Sequence, residues 1–253
     1  MTRRLVCLLA LLAGASPAAA QRPVQFLPRY DFHLSAERLA SSDDGRFEWD
    51  TNFGGDLDFV DYGRGRLRFA ANYEAILGGE FRAFDPNQGT YLLDMSSSLR
   101  VRGVEVAALL HHTSRHLSDR FKRLPVDWNM FGAGLDHETH TGGVTVRSRA
   151  HLLGVLLKSN VDYRWEATGD VGVHVPMRPH VGLIAGGGLR LVGVDETRSR
   201  GTQRGGRVEG GVRLDGHAGA IELVVAAERR IDAYPLETAA RSWVSAGFRF
   251  VSR

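Results

Sequence analysis

The segment 109–120, Leu-Leu-His-His-Thr-Ser-Arg-His-Leu-Ser-Asp-Arg, gathers the side chains best able to do chemistry in this chain. His112 and Ser114 are two apart, and on a β-strand residues i and i+2 share a face, so an imidazole and a hydroxyl stand side by side. A histidine nitrogen can take the serine proton as the hydroxyl attacks an ester carbonyl, provided a third group holds the imidazole in one tautomer. Asp127 and Asn129, of one parity at the start of the next alternating segment, are the candidates for that group, with Asp119 a loop-borne alternative. His112 and His116 would supply only two ligands to a zinc ion, which wants at least three from the protein, so neither a metal nor another cofactor is expected. His111, His112 and His116 also suit a polar rim at a membrane–water boundary, and both readings stand on the sequence.

The elements that must position these residues announce themselves by period two. Tyr30, Phe32, Leu34 and Ala36 oppose His33, Ser35 and Glu37; Phe47, Trp49, Thr51, Phe53, Leu57 and Phe59 oppose Glu48, Asp50, Asn52, Asp56 and Asp58. The pattern recurs to the end, where Val244, Ala246, Phe248 and Phe250 oppose Ser245 and Arg249. A soluble sandwich alternates too, but segments of ten or more residues, with aromatics such as Trp49, Tyr73, Tyr91, Trp165 and Phe250 near their ends, suit lipid-facing walls with aromatic girdles. The expected fold is all-β: a closed antiparallel transmembrane β-barrel of about twelve strands, with ten to fourteen possible. The strands are placed at 29–39, 46–60, 64–76, 89–101, 103–114, 126–138, 143–153, 158–176, 180–195, 205–215, 217–229 and 241–251. Thr168, Gly169 and Asp170 could form a turn, but the parity of Val161, Tyr163, Trp165 and Ala167 runs on through Val171, Val173 and Val175, favouring one long strand. With the amino terminus in the periplasm, residues 112 and 114 fall near the outer rim, at the depth of outer-leaflet lipid esters.

Residues 1–20 read as a secretory signal: Arg3 and Arg4, an apolar run, then Ala18, Ala19 and Ala20 before cleavage, leaving 21–253 as the barrel. The single cysteine, Cys7, lies in that leader, so the mature chain has no disulfide and no Cys nucleophile. No apolar run after Ala20 is long enough for a helical span. Of 32 Lys and Arg, two lie in the leader, leaving an excess of one over the 29 acids, which argues against a nucleic-acid partner. The expected partners are outer-membrane lipids and the outer-membrane assembly machinery; the sequence leaves the oligomeric state open.

Two resemblances attach to these residues. The ending from Trp243 to Phe250 resembles the carboxy-terminal assembly signal of bacterial outer-membrane proteins, although Val251, Ser252 and Arg253 follow the aromatic. The His112-x-Ser114 pair resembles the dyads of outer-membrane phospholipase A and the lipid A 3-O-deacylase, barrels whose active site faces lipid. That likeness implies a serine esterase acting on lipid acyl chains, with Ser114 as nucleophile, His112 as base and Asn129 or Asp127 as orienter. The stretch is also similar to an H-x-S-S-H-L-G-D motif of an uncharacterised bacterial family known only as a domain of unknown function, with Arg115 and Ser118 departing from it.

The inward face collects both signs of charge, among them Arg66, Glu105, Arg207, Glu209, Arg213 and Glu222. Unpaired buried charge is costly, so a paired network filling the lumen is expected; a small-solute channel and a structural or adhesive barrel are the alternatives. Arg198, Arg200, Arg204 and Arg207 border an outer loop, where forked guanidinium groups would suit lipopolysaccharide phosphates or simply face water. Gly186, Gly187 and Gly188 fall mid-strand and mark close packing or a bend.

Overall fold

A computed structural model describes residues 23–40, 44–118, 121, 124–196 and 199–252. The leader at 1–20, Asp119 and Arg198 lie outside the described residues. Twelve strands follow in order: β1 (Gln25–Ala40), β2 (Trp49–Asp61), β3 (Arg66–Gly78), β4 (Asp85–Val101), β5 (Val104–His116), β6 (Val126–Thr141), β7 (Val144–Ser159), β8 (Tyr163–Arg178), β9 (Val181–Val194), β10 (Gln203–Asp215), β11 (Gly219–Arg230) and β12 (Arg241–Ser252). Each pairs antiparallel with its sequence neighbours, and β1 closes on β12 from His33–Val251 to Ala40–Val244, making a closed barrel.

Connections sort by end, as the alternation predicts. At one end lie the tight turns at 62–65, 102–103, 142–143, 179–180 and 216–218. Arg102 and Gly103 (φ 50° and 84°), and Gly142 and Gly143 (φ 58° and 84°), sit in the left-handed region that a two-residue hairpin needs to follow strand twist. The other end carries the longer loops, including 117–125, 195–202 and 231–240.

Three expectations are corrected. β7 runs through Gly154 to Ser159, so the connection falls at 160–162 instead of 154–157; Asn160 (φ 56°) supplies the left-handed residue there. β4 starts at Asp85, shortening the loop expected at 77–88 to 79–84. The register shifts between Tyr163 and Trp165, and this irregularity turns Tyr163 into the lumen, 3% exposed, while Trp165 keeps the outward face. Thr168–Asp170 lies within one strand, Gly169 pairing with both Ala150 and Leu189.

Outside, large apolar side chains stand uncovered, among them Phe32, Leu110, Phe131, Leu152, Leu223 and Val225. In water that surface would be a severe liability; against acyl chains it is the required one. Inside, charges pair. Arg230 bridges Asp50, Glu74 and Glu228 at 2.5, 2.8 and 2.7 Å. Arg207 meets Glu37 and Glu209, Arg249 meets Glu209 and Glu222, and Arg66 meets Asp58 and Glu105.

Loop 231–240 folds inward over the long-loop end. Ile231, Asp232 and Ala233 are buried; Asp232 accepts bonds from Tyr163 Oη and Arg200 Nη2, each 2.7 Å. Arg200 also clamps Asp162 at 2.7 Å, and the two acids hold its pKa above the ordinary arginine value. The arginine cluster read from the sequence is thus dispersed: Arg200 and Arg207 are committed to acids, and Arg204 is exposed. Phe47, expected on the outer wall, precedes β2 and stacks on Trp243 (5.6 Å) with Leu39, Ile76 and Ala233 beneath that loop. Arg46 ties the cap together, donating to Asp44 Oδ2 and Glu237 Oε1 at 2.7 Å each.

Arg230→Met leaves buried Asp50 and half-buried Glu74 and Glu228 without their shared counter-charge and is expected to cost about 3 kcal/mol, read from the urea unfolding midpoint in detergent. The Arg46 hydrogen bond holds Asp44 below its ordinary value of 3.8. A depressed folded-state pKa contributes stability that is present above the unfolded value and lost as pH falls through the folded one. The heat-modifiability midpoint should therefore drop on acidification below about pH 3.8, and Asp44→Asn should flatten part of that drop.

Candidate functional site

The chemistry-bearing segment forms the end of β5 beside the long loops, flanked by β4 and β6. Even-numbered residues of β5 face outward: Val106, Ala108 and Leu110 are exposed, and His112, Ser114 and His116 continue their row. Strand register sets their neighbours. His112 opposes Asn129, and Ser114 opposes Asp127, so both orienter candidates come to the outward face beside the pair.

Two hydrogen bonds organise the group. His112 Nδ1 lies 2.9 Å from Asn129 Oδ1. An amide oxygen only accepts, so with this amide orientation Nδ1 carries the proton and Nε2 keeps a lone pair, the tautomer that a general base needs. Ser114 Oγ lies 2.9 Å from His116 Nε2, a partner that sequence reasoning considered only as a rim or metal residue. The i+2 rule that pairs His112 with Ser114 pairs Ser114 equally with His116, and that symmetry was the available signal. Asp127 accepts from Ser159 Oγ at 3.4 Å. The described residues contain no group of three or more His, Cys, Asp or Glu able to hold a metal, and His137 and His140 sit at the tight-turn end of β6, away from this site.

An aromatic row adjoins the serine. Phe53, Tyr73, Tyr91 and Ser114 are successive register partners across β2, β3, β4 and β5. Their rings are 5.3 Å apart for Phe53 and Tyr73 and 4.8 Å for Tyr73 and Tyr91, and His116 meets the Tyr91 ring edge-on at 5.4 Å. Gly89 makes room for this row, since a Cβ there would lie 2.4 Å from Tyr73 Oη. A belt of aromatic side chains marks the interfacial level of a membrane barrel.

Single cysteines report these orientations cleanly because Cys7 is the only native cysteine. A spin label at Ser114→Cys should broaden strongly with lipid-soluble oxygen. One at Thr113→Cys, whose residue is 3% exposed and faces the lumen, should not.

No protein-family model matches the sequence, and no curated protein matches it. Solved structures do. The outer membrane phospholipase A of Escherichia coli, in an active-site mutant with an asparagine replaced by alanine, is similar with a TM-score of 0.54 and 10% identity over 95% of each chain. The Salmonella typhi outer membrane phospholipase, a dimer with bound calcium, is similar with a TM-score of 0.54 and 12% identity over 87% of this chain and 90% of that one. At such identity the likeness is one of fold: a closed antiparallel barrel of the kind found in the outer membranes of Gram-negative bacteria.

Proposed function

We propose that this outer-membrane barrel is a serine esterase that cleaves acyl esters of membrane lipids at its outward face. Ser114 is the nucleophile, His112 the general base and Asn129 its orienter. The observation that carries the reading is the 2.9 Å contact between His112 Nδ1 and Asn129 Oδ1, which leaves Nε2 unprotonated on the face that also carries Ser114. Rotation of Ser114 about its Cα–Cβ bond carries Oγ from His116 toward His112, since both imidazoles share its face two residues away. The adjoining tyrosines at the serine's level support a placement at the ester depth of the bilayer. The fold likeness to an outer membrane phospholipase supports lipid-ester chemistry on a barrel of this kind.

In the reaction the Ser114 hydroxyl attacks the ester carbonyl and gives its proton to His112 Nε2, which passes it to the departing lysolipid oxygen. Water then releases the fatty acid from the acyl-serine. Ser114→Ala and His112→Ala should each lower fatty-acid release from mixed micelles by about 10²-fold or more, and Asn129→Ala by less, with heat-modifiable migration unchanged. His116→Phe separates the two imidazoles: activity that survives it identifies His112 as the base. Wild-type turnover in Ser114→Ala, or no turnover of any lipid ester by the native protein, sinks the assignment.

A further inference from the structure

Two consecutive histidines are followed by two consecutive hydroxyl residues, and a strand deals them alternately to its two faces. His112 and Ser114 go outward; His111 and Thr113 go into the lumen. There the set is joined end to end. Asp94 Oδ1, on β4, is 2.5 Å from His111 Nδ1, and His111 Nε2 is 2.8 Å from Thr113 Oγ1. Register makes Asp94 the direct partner of His111. A carboxylate at Nδ1 keeps the proton on that nitrogen, so Nε2 accepts from the threonine hydroxyl.

Two further observations mark this as more than lumen filling. The arginines of the lumen take most of its carboxylates, whereas Asp94 is engaged with an imidazole. His111 and Thr113 also line a cavity of about 440 Å³ below loop 231–240, within the size range of small-molecule sites. Trp128 lines it as well and is the register partner of Thr113. Its side chain is buried, 3% exposed, and among the described residues its indole N–H has no hydrogen-bond partner. An unsatisfied buried donor on the residue directly across from Thr113, lining the same cavity, is of the kind a developing oxyanion needs.

We propose that the lumen holds a second, independent hydrolytic centre for small water-soluble carboxylic esters, with Thr113 as nucleophile, His111 as general base, Asp94 as positioning residue and Trp128 as oxyanion donor. Thr113 Oγ1 bonds to the ester carbonyl carbon while its proton moves to His111 Nε2. The bond to the alcohol oxygen then breaks, and that oxygen takes the proton from Nε2. Water, deprotonated in turn by His111, attacks the acyl-threonine and releases the carboxylic acid, restoring the hydroxyl. The outward site plays no part, so either centre can fail without the other.

The test uses the full barrel in detergent micelles in a Ser114→Ala background, which removes the outward hydroxyl. With p-nitrophenyl acetate, Thr113→Val and His111→Ala should lower turnover by about 10²-fold or more, and Thr113→Ser should retain it within about tenfold. Trp128→Phe should cost about 10²-fold in kcat. Asp94→Asn should lower kcat with KM unchanged, and Asp94→Glu should restore part of it. Diisopropyl fluorophosphate, losing fluoride, should leave its phosphoryl group on Thr113 by peptide mass mapping; this readout decides the matter even if Thr113→Val fails to fold. Turnover in the Ser114→Ala background equal to that of Thr113→Val, with no adduct on Thr113, overturns the proposal.

Discussion

Closure of β1 onto β12 is the interaction on which everything else rests. An open sheet of this composition would expose a row of backbone N–H and C=O groups at each edge, intolerable in hydrocarbon where no water can satisfy them. Pairing from His33–Val251 to Ala40–Val244 removes both edges. Once the cylinder closes, side-chain parity becomes location: one set of residues meets acyl chains and the other meets the lumen. The same alternation therefore sorts Leu110, His112 and Ser114 from Leu109, His111 and Thr113.

The lumen shows how a barrel of this girth accommodates charge. Arg207 and Arg230 each gather more than one carboxylate, and several of these pairs join strands on different parts of the wall, as Arg230 on β11 does with Asp50 on β2. Such pairs cost desolvation and repay it only with full hydrogen bonding. Above them, Phe47 stacks on Trp243 and loop 231–240 turns inward, over a half-open chamber lined in part by Ile231. The chamber wall and the lipid wall share β5, so one strand carries hydroxyl and imidazole groups to both.

Part of the candidate site is legible in the sequence. His112 and Ser114 share a face by strand parity, as Asp127 and Asn129 share theirs, but the register that brings Asn129 opposite His112 was not legible, because β5 and β6 are joined by the longer loop 117–125. The partner of Ser114 was not legible, because residues 112 and 116 are equivalent by parity and only side-chain rotamers choose between them. Tyr163 was misplaced for a related reason: the register irregularity between Tyr163 and Trp165 inverts parity locally, and no composition signal marks it. Phe47 misled because its parity continues that of β2 although the strand begins two residues later.

The sequence by itself determined an antiparallel barrel of about twelve strands and which residues of β5 share a face, because period-two alternation is a local property; the structure set the count at twelve. Tertiary structure alone decided the lumen pairings, the inward fold of loop 231–240 and the Asp94–His111–Thr113 chain. Those depend on distances across the cylinder and between strands, set by closure and by side-chain rotamers, and one-dimensional spacing carries neither.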